Sequence, residues 1–187
     1  MNDTQGLLRI LLVDDNPHDR ALIRQVLIGS DLNSVIDEAD SEEQFEALLR
    51  TRKHYDLVLT DLSIVGLSGL EVLECVRQVM PLTPVVVLTI SGSEEIAVEA
   101  MKRGMADYVI KTAEHIRLLP ATVRAVLARV EAQHHAREAE ERFKRMAENA
   151  PDMIFRWSYA RGFEYVSPAS TEVVGYTPEE HYADPGM

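Results

Sequence analysis

The sequence predicts an α/β fold, in which a doubly wound five-stranded parallel sheet precedes a long helix and a small α+β segment. Short apolar runs alternate with amphipathic stretches over the first part of the 187-residue chain, as in parallel strands joined by crossover helices. The last three of these runs are apolar almost throughout, which is typical of strands covered by helices on both faces. A glycine-free stretch of helical periodicity then replaces the alternation.

The elements of the sheet follow from these runs in order. The five predicted strands are residues 7–13, 34–38, 56–60, 84–89 and 107–110. Asn16 stands where it can cap the first helix, with Pro17 in the first turn. Ser41 and Gln44, three residues apart before an apolar stripe, predict a capping box for the second helix. Apolar residues at helical spacing predict one helix after the third strand and one after the fourth.

A long helix is predicted for roughly residues 115–148, with Pro120 near its start. If continuous, it would be about 50 Å long. Small and apolar residues recur in its second half at spacings of four and three: Ala132, Ala136, Ala139, Phe143 and Met146. That spacing predicts a homodimer through the helix 116–149, paired in parallel as a coiled coil. The alternative is a solvated terminal helix.

A different composition begins after the long helix, where Pro151 interrupts the helical pattern. Two short alternating strands, 153–158 and 163–167, and a helical turn at 168–174 are predicted there. Some forty residues supply too little sheet for an independent core, so we expect the opening of a domain that the chain does not complete. The predicted organisation is a domain at 1–130, a helical linker at 131–149 and an incomplete domain at 150–187.

Composition narrows the class of protein. With 46% hydrophobic and 27% charged residues, the chain has the composition of a soluble globular protein. A net charge of −12 would repel a phosphate backbone, so we expect no nucleic acid to bind this segment. No apolar run approaches the roughly 20 residues that span a bilayer, so we expect no membrane passage. A single cysteine, Cys75, excludes an internal disulfide and suits a cytoplasmic location.

Acidic residues follow two of the predicted strands. Asp14 and Asp15 stand at the carboxyl end of the first strand, and Asp61 stands at the carboxyl end of the third. Ligands bind at this edge of an open parallel sheet, so the three carboxylates can converge there. Close carboxylates repel one another unless a cation joins them, and Mg²⁺ is the favoured occupant. The alternative is that Asp14 and Asp15 only favour the dipole of the following helix while Asp61 ends a strand.

Two further residues complete a phosphoryl site in outline. Thr89 and Lys111 end the fourth and fifth predicted strands, at the same edge as the carboxylates. Together the five residues would supply a carboxylate nucleophile, a metal clamp, a cation and a hydroxyl donor.

These motifs carry a resemblance to a known family. The segments ILLVDD from Ile10, Asp61 followed eight positions later by Gly69, VVVLT ending in Thr89, and DYVIK ending in Lys111 resemble the receiver domain of response regulators. The resemblance covers about residues 7–130. It implies a flavodoxin-like (CheY-like) fold with strand order 2-1-3-4-5. It also implies two-component signalling, in which Asp61 takes a phosphoryl group from a phosphohistidine of a sensor histidine kinase or a histidine phosphotransfer protein.

The same resemblance implies roles for the other site residues. Asp14, Asp15 and Asp61, with the backbone carbonyl of Ser63, would hold Mg²⁺. Thr89 and Lys111 would contact the phosphoryl oxygens, and Thr89 with Tyr108 would form the switch. Such a domain is a signalling switch and not a turnover enzyme, its only catalysis being its own phosphorylation and dephosphorylation at Asp61.

The sequence departs from the usual pattern of that family at three places. Ile64 and Val65 stand where Met-Pro is common, and Thr112 follows Lys111 where proline is usual. Ile90 follows Thr89 where a small residue is usual. We expect its bulk to narrow access for small phosphodonors and for water.

The end of the chain carries a second resemblance. RFKRMAENAPDMIFRW, FEYVSPAS and VVGYTPEE are similar to the start of a PAS sensor domain. The expected protein is therefore a receiver whose helix passes the signal to a PAS segment and to an output domain missing from this chain.

Two other functions remain open from the residues. One is a Mg²⁺-dependent phosphohydrolase with an aspartate nucleophile, similar to haloacid dehalogenase-like enzymes, although Ser63 stands where those have a second aspartate. The other is a receiver-like binding module that is never phosphorylated.

Overall fold

The computed structural model describes residues 6–90 and 94–183, and for residues 94–97 it describes the backbone alone. The chain divides into two compact units, Met1–Glu131 and Ala132–Met187. Within the described residues, no helix combines the length and apolar character needed to cross a membrane.

The first unit contains the predicted five-stranded sheet. Its strands are β1 (Leu8–Val13), β2 (Ser34–Ala39), β3 (Leu57–Asp61), β4 (Val85–Thr89) and β5 (Asp107–Ile110). They lie in the order β2-β1-β3-β4-β5, and every neighbouring pair is parallel. The helices between them are α1 (Pro17–Ile28), α2 (Glu42–Arg50), α3 (Gly69–Val79) and α4 (Glu94–Lys102). The predicted fold class and strand order are confirmed.

The core lies on both faces of the sheet, as the apolar strands predict. Every residue of β3 and β4 is buried. Alternate residues of β1 face opposite layers, Leu11 and Val13 packing on one side and Ile10 and Leu12 on the other. The covered faces fix the register of the strands, which in turn fixes the residues at their carboxyl ends.

Helix caps confirm one prediction and correct another. The Asn16 side chain accepts a hydrogen bond from the His18 amide at 3.0 Å, as expected of a cap before Pro17. Ser41 is the cap of α2 but makes no side-chain cap bond, so the predicted capping box is wrong. Gln44 instead accepts from the backbone amide of Asp40 at 3.2 Å.

A capping box does occur at α3, where Ser68 and Glu71 bond reciprocally. It follows a two-residue hairpin that pairs Ser63–Ile64 with Leu67–Ser68. The capping box therefore fixes the residue at which α3 begins, a short distance along the chain from the end of β3.

Helix α5 (Ala113–Glu148) is continuous over 36 residues, with Pro120 inside it. The peptide bond between Lys111 and Thr112 is trans, and the Thr112 carbonyl accepts the first helical bond, from Ile116, at 2.9 Å. Ile116, Leu119, Val123 and Val126 are buried in the first unit, whereas residues 131–146 are all exposed.

The second unit contains a short antiparallel hairpin of β6 (Phe155–Ser158) and β7 (Gly162–Val166). Two short helices follow, α6 (Ser170–Val173) and α7 (Pro178–Ala183), of which the second was not expected. The Tyr182 hydroxyl accepts a bond from the Val166 amide at 3.0 Å, and Phe143 of α5 packs edge-on against Tyr165. These contacts join the end of α5 to the hairpin within this unit.

Candidate metal and phosphoryl site

The candidate site lies at the carboxyl edge of the sheet. Asp14 follows the last residue of β1, Asp61 ends β3 and Lys111 follows β5. Because β1 and β3 are neighbours, their carboxylates meet directly, and the long Lys111 side chain reaches them from the far side of β4. The sheet thus brings together residues that lie 47 and 50 positions apart in the chain.

The Lys111 ammonium is the centre of the site. Its Nζ lies 2.6 Å from Asp61 Oδ2, 2.7 Å from Asp14 Oδ2 and 2.9 Å from Asp19 Oδ2, and the side chain is only 4% exposed. Burial by itself lowers the pKa of Lys111, but the contacts with the three carboxylates outweigh it and raise that pKa above the usual value. The group is therefore a permanent cation whose three N–H bonds all face carboxylates.

Asp14 is fully buried beside this cation. Burial raises the pKa of Asp14, while Lys111 and a 2.9 Å hydrogen bond from the Asn16 amide to Oδ1 oppose the rise. Oδ2 lies 2.7 Å from the Lys111 ammonium and has no other polar partner within the described residues. A buried carboxylate oxygen of this kind gains from a cation bound next to it.

The backbone around Asp61 is held by a close approach to α3. Asp61 Oδ1 accepts a bond from the Leu62 amide at 2.6 Å. The Gly69 amide bonds the Leu62 carbonyl at 2.9 Å, at the point where α3 begins. The glycine that follows Asp61 by eight positions thus serves to bring the two backbones together.

The carboxylates of Asp14, Asp15 and Asp61 form a group that fits a divalent cation. Each offers one oxygen, and these oxygens all lie within 4.8 Å of one another. An octahedral Mg²⁺ holds its ligand oxygens roughly 3 to 4 Å apart, so small side-chain movements would close the set. Hard oxygen donors, two of them largely buried, fit Mg²⁺.

The other predicted residues lie at or near this edge. Thr89 ends β4, is buried, and its carbonyl accepts from the Lys111 amide at 2.7 Å. Ser63 lies exposed in the hairpin after β3. Tyr108 on β5 is 38% exposed, and Ile90 is exposed to 76%. The structure therefore gathers the four predicted charged residues, Asp14, Asp15, Asp61 and Lys111, at this edge. Thr89 lies at the neighbouring strand end, and Tyr108 lies on the surface.

Asp19 is the one member of the cluster that the sequence analysis missed. It is the third residue of α1, and Lys111 donates to it across 92 positions of sequence. The available signal was its place in the first turn of a helix that starts at the carboxyl edge of the sheet.

The fold and the site together indicate a class of protein: a doubly wound α/β domain with carboxylates gathered around a buried lysine at the carboxyl ends of its strands. A family model described as the response regulator receiver domain matches residues 10–124, which is more than half of the chain. The chain belongs to this family, whose members are phosphorylation-controlled switches of two-component signalling and receive phosphate from histidine kinases.

Two response regulators of known name support this family assignment. The chain is 37% identical over 112 residues to the nitrate/nitrite response regulator protein NarL of Escherichia coli K12, covering 60% of this chain and 51% of NarL. It is 34% identical over 131 residues to the transcriptional regulatory protein ResD of Bacillus subtilis, covering 70% of this chain and 49% of ResD. The chain thus spans about half the length of these relatives.

Solved structures agree on the fold. A receiver domain protein from Clostridium thermocellum superposes with a TM-score of 0.59 at 24% identity, covering 67% of this chain and 98% of that one. NtrX from Brucella abortus superposes with a TM-score of 0.62 at 25% identity, covering 72% of this chain and 30% of that one.

Proposed function

We propose that Asp61 is the phosphoacceptor of this receiver and that it takes its phosphoryl group from a phosphohistidine of a sensor histidine kinase or a histidine phosphotransfer protein. The observation that carries the proposal is the 2.6 Å contact between Asp61 and the buried Lys111 ammonium, inside a group of carboxylates that fits Mg²⁺. Asp61 is the member of that group that ends a central strand, and its side chain remains 12% exposed.

Asp14, Asp15 and Asp61, with the Ser63 carbonyl, would hold the metal. Magnesium, when bound, supplies positive charge to the oxygens of the phosphoryl group. A carboxylate oxygen of Asp61 forms the new bond to phosphorus while the N–P bond of the phosphohistidine breaks. The electron pair of that bond stays on the imidazole nitrogen, and the product is an acyl phosphate on Asp61.

Lys111 and Thr89 act on the phosphoryl oxygens in this account. The ammonium already lies against Asp61, so it can follow the negative charge as that charge moves from the carboxylate to the phosphoryl group. The Thr89 hydroxyl, one strand away, would donate a hydrogen bond to a phosphoryl oxygen. Both groups are buried and attached to strand ends, which lowers the cost of organising them during transfer.

The switch would follow from the movement of Thr89. Phosphorylation adds a group of roughly −2 charge with three acceptor oxygens, which draws the hydroxyl of Thr89 inward. Tyr108, half-exposed on β5, would then change rotamer and alter the face formed by α4 and β5. A partner that binds one state of that face better would read the signal.

The long helix would carry that signal onward. Its residues 131–146 are exposed along their whole length in the single chain, which supports the expected parallel homodimer through helix 116–149. The segment 150–187 would be the start of a PAS domain that receives the signal from the helix. In that arrangement the domain boundaries are 1–130, 131–149 and 150–187, and the protein acts in the cytoplasm without binding nucleic acid through this segment.

The test is incubation with Mg²⁺ and a small acyl phosphate, followed by intact mass measurement of the parent and of Asp61→Asn. The expected result is one phosphoryl group on the parent alone, stable in acid and labile in base. Because Ile90 can narrow access for small donors, the Ile90→Ala variant is run beside the parent. No phosphorylation of either protein, or equal phosphorylation of the Asp61→Asn variant, would overturn the proposal.

A further inference from the structure

Asp19 differs from the other carboxylates around Lys111. Its Oδ2 lies 2.9 Å from the ammonium, and its side chain is 26% exposed, whereas Asp14 is fully buried. Among the described residues, the group that fits a metal contains Asp14, Asp15 and Asp61 and does not include Asp19. Asp19 is therefore linked to the site through Lys111.

The three carboxylates together take up the three N–H bonds of the ammonium, so a phosphoryl oxygen has to replace one of them. In the proposed cycle Asp14 would hold the metal, and Asp61 would lose its charge on becoming an acyl phosphate. Asp19 is not among the candidate metal ligands, so it would keep both its charge and its contact with Lys111 through the cycle.

We propose that Asp19 tunes the receiver by sharing the Lys111 ammonium with the phosphoryl group, so that it favours Mg²⁺ binding and weakens the hold on the phosphoryl group. This inference rests on the proposed function of Asp61 and Lys111. It makes Asp19 a positioning residue, since it acts through Lys111 and is not a member of the carboxylate group that fits the metal.

The effect on Mg²⁺ follows from charge. Lys111 competes with a cation for Asp14 and Asp61, because its ammonium already lies against both. The Asp19 carboxylate binds the same ammonium and so weakens its interaction with Asp14 and Asp61. It also adds a negative charge beside the site. Removing the Asp19 charge therefore leaves Lys111 bound more firmly to the metal ligands, and Mg²⁺ binds less tightly.

The effect on the phosphoryl group has the opposite sign. Once Mg²⁺ is bound, the anionic phosphoryl oxygens and Asp19 compete for the same ammonium. Without the Asp19 charge, the Lys111 ammonium interacts more strongly with the phosphoryl oxygens. A nearby negative charge that repels those oxygens is also removed. A residue that only stabilised the first turn of α1 through the helix dipole would change the free energy of unfolding. It would not change the affinities for Mg²⁺ and for the phosphoryl group in opposite directions.

The experiment compares the parent with Asp19→Asn, which removes the charge and keeps the shape. Mg²⁺ binding is measured by calorimetry, and beryllofluoride binding at saturating Mg²⁺ is measured by fluorine NMR. Asp31→Asn, which removes a charge paired with Arg124 elsewhere in the first unit, is the matched control.

For Asp19→Asn we expect the Kd for Mg²⁺ to rise roughly three- to tenfold and the Kd for beryllofluoride to fall by about threefold or more. Asp19→Glu restores the charge and should return both values toward those of the parent, and Asp31→Asn should change neither. If both constants shift in the same direction, or neither shifts, the role of Asp19 is overturned while the proposed function stands. If the parent fails to bind beryllofluoride through Asp61, the proposed function fails, and this inference fails with it.

Discussion

Gly69 lies directly against the backbone of Asp61. A Cβ at position 69 would stand 2.6 Å from the Asp61 carbonyl oxygen and 3.2 Å from the Leu62 Cα, closer than real Cβ atoms approach a backbone oxygen. Both neighbouring groups belong to the backbone, so neither can rotate away as a flexible side chain would. The position of the proposed phosphoacceptor therefore depends on the absence of a side chain at the start of α3.

Gly69→Ala should displace the end of β3 and reduce both stability and phosphorylation. We expect a loss of about 1–3 kcal/mol in the free energy of unfolding, because the methyl group overpacks a closed contact. Urea denaturation measures the stability, and intact mass after treatment with an acyl phosphate measures the phosphorylation. Gly6→Ala is the control, since nothing lies within 4 Å of a Cβ at that position. A Gly69→Ala protein equal to the parent in both assays would contradict the argument.

Lys111→Met should make the fold depend on Mg²⁺. The substitution keeps an apolar stem but leaves Asp14 and Asp61 without their cation, and removing one partner of a buried ion pair costs about 3–5 kcal/mol. In EDTA the variant should unfold at clearly lower urea concentration than the parent, and added Mg²⁺ should restore much of the difference.

The control for this variant is Lys53→Met. That ammonium pairs with Asp37 at 3.1 Å but is 45% exposed, so its loss should cost less than about 1 kcal/mol. If Lys111→Met and Lys53→Met were equally stable in EDTA, the central place of Lys111 in the site would be wrong.

A hydrogen bond from Tyr55 should contribute a pH-dependent part of the stability. The buried Tyr55 hydroxyl donates to Asp37 Oδ2 at 2.8 Å, and this bond, with Lys53, holds the pKa of Asp37 below its usual value. A group with a lowered folded pKa stabilises the protein above its unfolded pKa, and that contribution is lost as the pH falls through the folded value.

Tyr55→Phe should therefore cost about 1–2 kcal/mol at pH 7 and less near pH 3. Urea denaturation of parent and variant at both pH values measures the two differences. Tyr159→Phe, at a side chain that is 98% exposed, should change neither. A cost that stays the same at the two pH values would show that Asp37 ionisation has no part in it.

The predicted coiled coil gives a test of assembly. Ala136 lies on the stripe of small and apolar residues, and a glutamate there should break a parallel pair by burying a charge at the seam. Sedimentation at tens of micromolar should show a dimer for the parent and a monomer for Ala136→Glu, and His134→Glu on the opposite face should remain dimeric. A monomeric parent, with and without beryllofluoride, would contradict the prediction.

The sequence could predict the sheet and three of the acidic residues because both depend on local patterns. Apolar runs identify the strands, and the rules for connections in parallel sheets limit the order in which they can lie. Carboxylates at the carboxyl ends of these strands then lie at the same edge of the sheet. Asp19 could not be found in this way, since its contact with Lys111 depends on the exact position of α1 over an edge formed 92 residues later.

The capping box failed for a related reason. Ser41 and Gln44 have the right spacing, but Gln44 reaches the Asp40 amide, one residue before the expected partner. At α3, the Ser68 hydroxyl accepts from the Glu71 amide at 3.3 Å, and the Glu71 carboxylate accepts from the Ser68 amide at 2.8 Å. Spacing identifies which residues can cap a helix, while the path of the preceding loop decides which of them do.

The most direct measurement is fluorine NMR of the protein with beryllofluoride, with and without Mg²⁺, beside the Asp61→Asn variant. Beryllofluoride mimics the phosphoryl group on a carboxylate, so binding reports the carboxylate nucleophile and the metal site together. We expect bound fluorine signals for the parent only when Mg²⁺ is present, and none for Asp61→Asn. Bound signals that persist without Mg²⁺ or in Asp61→Asn, or no binding by the parent at all, would contradict the assignment of Asp61 as the phosphoacceptor.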